Sequence, residues 1–134
     1  ACCDMFGPVD FVKLIEDDAL EMRTNPNCRW KKPEDTHAGA LFGGDMSTLK
    51  ERAKPYCPPY ILTKEMCPIL ILHGDCDKLV SCDISEAFYD DIVKAGMEDR
   101  ADLYILHGAG HGTKEFFQQE TKEIIRAFFD KNLK

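Results

Sequence analysis

The sequence predicts an α/β fold built on a short parallel sheet, and three observations predict it. Residues 69–72 form a continuous apolar run bounded by Pro68 and Gly74, the pattern of a strand buried on both faces. Residues 103–106 form a second such run. Amphipathic helical segments follow each run, so the order is strand, helix, strand, helix with short loops. Parallel pairing with right-handed crossovers is the expected consequence.

Each element has a local reason. Residues 1–6 read as a short buried strand stopped by Gly7 and Pro8. Residues 9–23 carry apolar side chains at helical spacing (Val9, Val12, Leu14, Ile15, Ala19, Leu20, Met22). Residues 25–35 are polar and proline-bearing, which predicts a loop. One or two helical turns are expected over 37–44, ending at paired glycines. A short helix is expected over 47–54, with Ser47 or Thr48 as N-cap. Pro55, Pro58 and Pro59 then predict extended chain. Beyond the first apolar run, Asp83 is placed to cap a helix over 84–94, with Gly96 as its stop. A long helix is predicted over 113–132, with Phe116, Phe117, Ile124, Ile125, Phe128 and Phe129 as its core stripe.

Composition bounds the function classes. The 134 residues have the length of one domain, 44% of them are hydrophobic, and no apolar run approaches the roughly 18 residues of a membrane span. A net charge of −7 argues against nucleic acid, whose phosphates demand clustered Lys and Arg. The seven cysteines contain no C-x-x-C pair, which argues against a zinc ribbon or a thioredoxin-like site. They read as reduced, mostly structural thiols, which favours a reducing compartment or an anaerobic source.

In a parallel sheet, ligands bind beyond the carboxyl ends of the strands. Both polar clusters of this sequence fall there: H-G-D-C-D at 73–77 and H-G-A-G-H-G at 107–112. Asp77 and His111 are thus expected at the same edge, on neighbouring strands. A carboxylate beside an imidazole is the orienting half of a nucleophilic triad, because it accepts Nδ1–H, fixes the tautomer and stabilises the imidazolium. The spacing of 34 residues leaves room for one crossover helix and one strand. Asp75 reads as loop support, His73 and His107 as structural residues that close their strands and hold the loops carrying the acid and base, and His37 as a surface residue. Cys76 sits between two carboxylates, which raise a thiol's pKa and make it a poor nucleophile.

H-G-D-C-D-K-L-V-S, then a helix, a strand and G-A-G-H-G, resembles the C-terminal part of an α/β-hydrolase of the bacterial esterase/lipase group, which includes acetyl- and feruloyl-ester-cleaving enzymes. D-M-F-G-P-V-D-F resembles the segment after the strand that follows the nucleophile helix. L-F-G-G-D through P-P-Y-I-L-T-K resembles the cap-side stretch before the acid strand. The resemblance implies a three-layer α/β/α arrangement with about three parallel strands: strand 1–6, a cap-side helical and loop region over 7–66, and strand–helix–strand–helix over 67–134. It also implies Asp77 as triad acid, His111 as general base, a small-molecule ester as substrate, and no cofactor or metal.

This sequence departs from that pattern in one respect. The fold's nucleophile sits on a Gly-x-Ser-x-Gly elbow preceded by an oxyanion loop, and neither motif occurs here. The serines are Ser47, Ser81 and Ser85, none flanked by the two glycines. Because the sequence opens in what reads as mid-strand, it is expected to be a C-terminal fragment holding two triad members, inactive alone. Two other readings stand beside this one: a serine peptidase of the prolyl-oligopeptidase type, and a non-catalytic binding or assembly domain. An exposed apolar edge on the first strand predicts a homodimer through residues 1–6 or the surface beside them.

Overall fold

The structure, a computed structural model, describes residues 1–43 and 46–133. The expected second glycine of the 37–44 segment, Gly44, and Asp45 of the L-F-G-G-D stretch lie outside the described residues. The chain divides into two compact units, one of residues 1–8 and 62–134, the other of residues 9–61.

The first unit holds the sheet. Its strands are β1 (Cys2–Met5), β2 (Ile69–Gly74) and β3 (Ala101–Leu106), parallel and in the order β1-β2-β3. The register pairs Asp4 with Ile71 and Met5 with Leu72, then Leu72 with Tyr104 and Gly74 with Leu106. Successive side chains on a strand face opposite ways, and the chain uses both faces. Leu70 and Leu72 pack with Phe116 and Phe128 on one side. On the other, His73 bonds Ser85 of helix α4 (Cys82–Lys94). Helices on both sides of a parallel sheet make the three-layer α/β fold. β1 is less buried than its apolar sequence predicts, with Cys2 exposed and Cys3, Asp4 and Met5 half-buried, and so is the second apolar run, where Leu103, Ile105 and Leu106 are half-buried and Tyr104 is exposed. β1 is an edge strand, paired among the described residues with β2 alone.

The ends of α4 follow from its sequence. Helix starts favour small polar residues, and here the N-cap is Ser81 rather than Asp83, which falls in the first turn where a carboxylate suits the helix dipole. At the other end Gly96 takes φ +71, a conformation that costs glycine little. The amide of Gly96 then reaches Val93 O and that of Met97 reaches Ile92 O, both at about 3 Å. This closes the helix, and both Met97 and Ile92 are buried.

The long helix expected from residue 113 is two pieces. A 3-10 turn (Lys114–Phe117) ends at Gln118, whose ψ of 160° is extended, and α5 (Gln119–Asn132) starts anew. The break seats Phe116 in the core at 1% exposure and leaves Phe117, expected in the stripe, 57% exposed.

The second unit contains α1 (Phe11–Thr24), α2 (His37–Phe42) and α3 (Met46–Ala53) around Val12, Ile15, Ala38, Leu49, Ala53 and Cys57. Asp10 caps α1, accepting the amides of Val12 and Lys13. Ser47 and Thr48 lie inside α3 rather than capping it. The prolines expected to force extended chain instead open 3-10 turns at Lys54–Tyr56 and Pro58–Tyr60. Proline's fixed φ suits the first turn of a helix, where its missing N–H would be unbonded anyway.

Candidate functional site

Two loops leave the carboxyl end of the sheet side by side, one from β2 and one from β3. Gly74 brings them together. A Cβ on Gly74 would stand 2.2 Å from the carbonyl oxygen of Ala109, so only glycine permits this approach. The amide of Cys76 donates to that same carbonyl at 2.9 Å.

Asp77 turns inward at this junction, with its carboxylate at 0% exposure. Oδ1 accepts the amides of Leu79 at 2.8 Å and Val80 at 3.0 Å. Oδ2 faces Nδ1 of His111 at 2.8 Å and Nε2 of His73 at 3.3 Å. Burial opposes the charge on Asp77, yet the Val80 and Leu79 amides and His111 outweigh it and hold the carboxyl below its ordinary range. An ionised carboxylate only accepts, so the His111 ring must carry its proton on Nδ1. That leaves the Nε2 lone pair of a ring 32% exposed to receive a proton from a reacting group.

Asp75 has a different station. Its Oδ1 accepts the Gly108 amide at 2.7 Å and its Oδ2 faces Nδ1 of His107 at 2.9 Å, which ties the end of β2 to the loop carrying His111. His107 and then the Gly108 amide lower the Asp75 carboxyl. This pair is open to water, His107 being 88% exposed. The thiol of Cys76 is raised, by its hydrogen bond to Asp75 first and by that residue's charge second.

Two contributors escaped sequence reasoning. Phe6 lays its ring 4.7 Å from that of His111 and meets Phe116 edge-on at 4.7 Å. It does so at φ +50, where a non-glycine residue is strained, and no local sequence signal marks that conformation. Asp4, on β1, is the second. Burial raises its carboxyl above the ordinary range, with His73 and the Gly7 amide partly offsetting the effect.

His37 is exposed, as a surface residue should be, with its ring against Trp30. The described cysteines are all free. Among the described residues, no cluster of three or more His, Cys, Asp or Glu side chains is arranged to hold a metal ion. Nor is any helix long and apolar enough to cross a membrane.

Comparisons with known proteins give one family and two solved structures. The BD-FAE family model matches residues 1–92, a span that includes Asp77. A solved structure described as a truncated form of carbohydrate esterase from gut microbiota superposes with a TM-score of 0.71 at 27% identity, covering 98% of this chain. The chain spans 42% of that protein's length. A crystal structure of esterase PE8 shares 29% identity over 48% of this chain and 27% of its own, with a TM-score of 0.40, too low to bear on the fold. No curated protein matches significantly.

Proposed function

The chain belongs to BD-FAE, an esterase-related α/β-hydrolase family, and on that premise we propose that it supplies the acid and the base of a serine carboxylic-ester hydrolase. Asp77 orients His111. His111 Nε2 takes the proton of a serine hydroxyl as that oxygen attacks the ester carbonyl, and returns the proton to the leaving alcohol. The acyl-enzyme is then hydrolysed by a water that the same nitrogen activates. The observation that carries this reading is the 2.8 Å contact between a fully buried carboxylate and a partly exposed imidazole, at the carboxyl end of a parallel sheet.

The attacking serine is assigned to a Gly-x-Ser-x-Gly segment outside these 134 residues, which contain no such motif. Ser85 is an unsuitable substitute, since it is buried and bonded to His73. The 134 residues alone are therefore expected not to hydrolyse esters. Description of the matched structure as a carbohydrate esterase supports an ester as substrate. Assembly through the open side of β1 belongs to the same reading, because an edge strand with unpaired amides favours another strand beside it.

The test compares short acyl esters with proline-containing peptides, using protein that joins this chain to the serine-bearing segment. Ester cleavage abolished by His111→Asn is the expected outcome. Peptide cleavage without ester cleavage would transfer the site to a prolyl-oligopeptidase-type peptidase. Neither activity, in folded protein, would leave a binding or assembly domain. A monodisperse monomer of the 134-residue chain by light scattering would overturn the assembly through β1.

A further inference from the structure

His73 is a buried titratable group that the proposed mechanism does not use. Its ring is at 0% exposure in the middle of the sheet, where an aliphatic side chain would cost less to bury. Both ring nitrogens are nevertheless engaged. Nδ1 lies 2.7 Å from Ser85 Oγ on α4, and Nε2 lies 3.0 Å from the carbonyl oxygen of Val80. A carbonyl only accepts, so Nε2 carries the proton. In the neutral ring Nδ1 is therefore the acceptor, and the Ser85 hydroxyl donates to it.

The consequence lies one bond further on. Val80 gives its amide to Asp77 Oδ1 while its carbonyl takes the His73 proton, so His73 grips the turn that grips the acid. The same N–H stands 3.3 Å from Asp77 Oδ2 and favours its negative charge. We propose that His73 is a positioning residue: held by Ser85, it clamps the 77–80 turn and so keeps the Asp77 carboxylate aimed at His111. Its value for catalysis rests on the roles proposed for Asp77 and His111; the clamp itself does not.

The test therefore uses readouts that need no catalysis, on the 134-residue chain by nuclear magnetic resonance. Long-range proton–nitrogen spectra are expected to show His73 as the Nε2–H tautomer. In His73→Leu, the Val80 and Leu79 amides should exchange with solvent about tenfold faster, the loss of roughly one hydrogen bond. The Phe88 amide of α4 should keep its rate, and the His111 Nδ1–H signal should broaden. His73→Gln, whose side-chain amide can still donate to Val80 O, should restore both. Ser85→Ala should give an intermediate result. An Nδ1–H tautomer in the wild type overturns the proposal whether or not the leucine variant folds. So do unchanged Val80 and Leu79 exchange in a folded His73→Leu chain, or a glutamine variant no better than leucine. Loss of hydrolysis in the longer protein with the clamp intact would instead count against the esterase reading.

Discussion

Replacing Asp77 with Asn changes almost no volume and should reverse the His111 tautomer. The Leu79 and Val80 amides, at 2.8 and 3.0 Å from Oδ1, require an oxygen in that place. The asparagine NH₂ must then occupy the Oδ2 position, 2.8 Å from His111 Nδ1. Two donors cannot face each other, so Nδ1 must become an acceptor and the proton must move to Nε2. The nitrogen assigned to proton transfer is then blocked. A wrong-tautomer imidazole costs about 10⁴ in turnover, or roughly 5.5 kcal/mol of barrier. The cost to stability is smaller, about 1–2 kcal/mol, as charge-assisted bonds from two amides become neutral ones. Long-range proton–nitrogen spectra of the chain at mildly alkaline pH read the tautomer directly. The wild type should show Nδ1–H at His111 and the variant Nε2–H. An unchanged tautomer in a folded Asp77→Asn chain would overturn the assigned contact between Asp77 Oδ2 and His111 Nδ1.

Other perturbations test the surroundings of the pair. Gly74→Ala should push the Ala109 carbonyl off the β2 end at a cost of about 1–3 kcal/mol, and a thermal melt indistinguishable from wild type would contradict that close approach. Phe6→Ala leaves a non-glycine residue at φ +50 and removes the ring from His111, so the His111 ring signals should broaden while the sheet amides keep their protection; sharp, unshifted ring signals would exclude a supporting role. Asp4 and Asp77 should contribute to stability with opposite pH dependence. The Asp4 carboxyl is raised on folding, so its ionisation penalises the fold once pH climbs through the unfolded value, near 3.9, towards the higher folded one. The melting-temperature difference of Asp4→Asn relative to wild type should thus be more positive at neutral pH than below the unfolded value. The Asp77 carboxyl is lowered, so its stabilisation is complete above the unfolded value and disappears as pH falls through the lower folded one. Asp77→Asn should accordingly lose most at neutral pH. Pair differences that do not vary with pH would contradict both assignments.

The strand order was legible from two apolar runs, although only β2, uninterrupted Ile and Leu closed by Pro68 and Gly74, is buried on both faces as expected. Once two such strands are parallel, residues just past their ends must be neighbours, which is why the meeting of Asp77 with His111 could be anticipated 34 residues apart. Local rules failed where tertiary packing chose between permitted conformations. Proline at 55, 58 and 59 fits both extended chain and the first two positions of a 3-10 turn, and the turn occurs. The break at Gln118 has no glycine or proline to announce it; seating Phe116 beside Phe6 accounts for it. That His73 holds the acid loop was anticipated, but its partner Val80 was not, for another reason. A strand-closing histidine looks alike whether it faces water or a carbonyl, and only the folded position of α4 decides.

The assignment of Asp77 and His111 to a serine hydrolase is tested most directly by a fluorophosphonate probe, which labels only an activated serine. In protein joining this chain to its serine-bearing segment, label should appear on one serine outside the 134 residues, and His111→Asn should abolish it. The chain alone should remain unlabelled. Label on Ser47, Ser81 or Ser85, or labelling that survives His111→Asn in folded protein, would contradict the assignment.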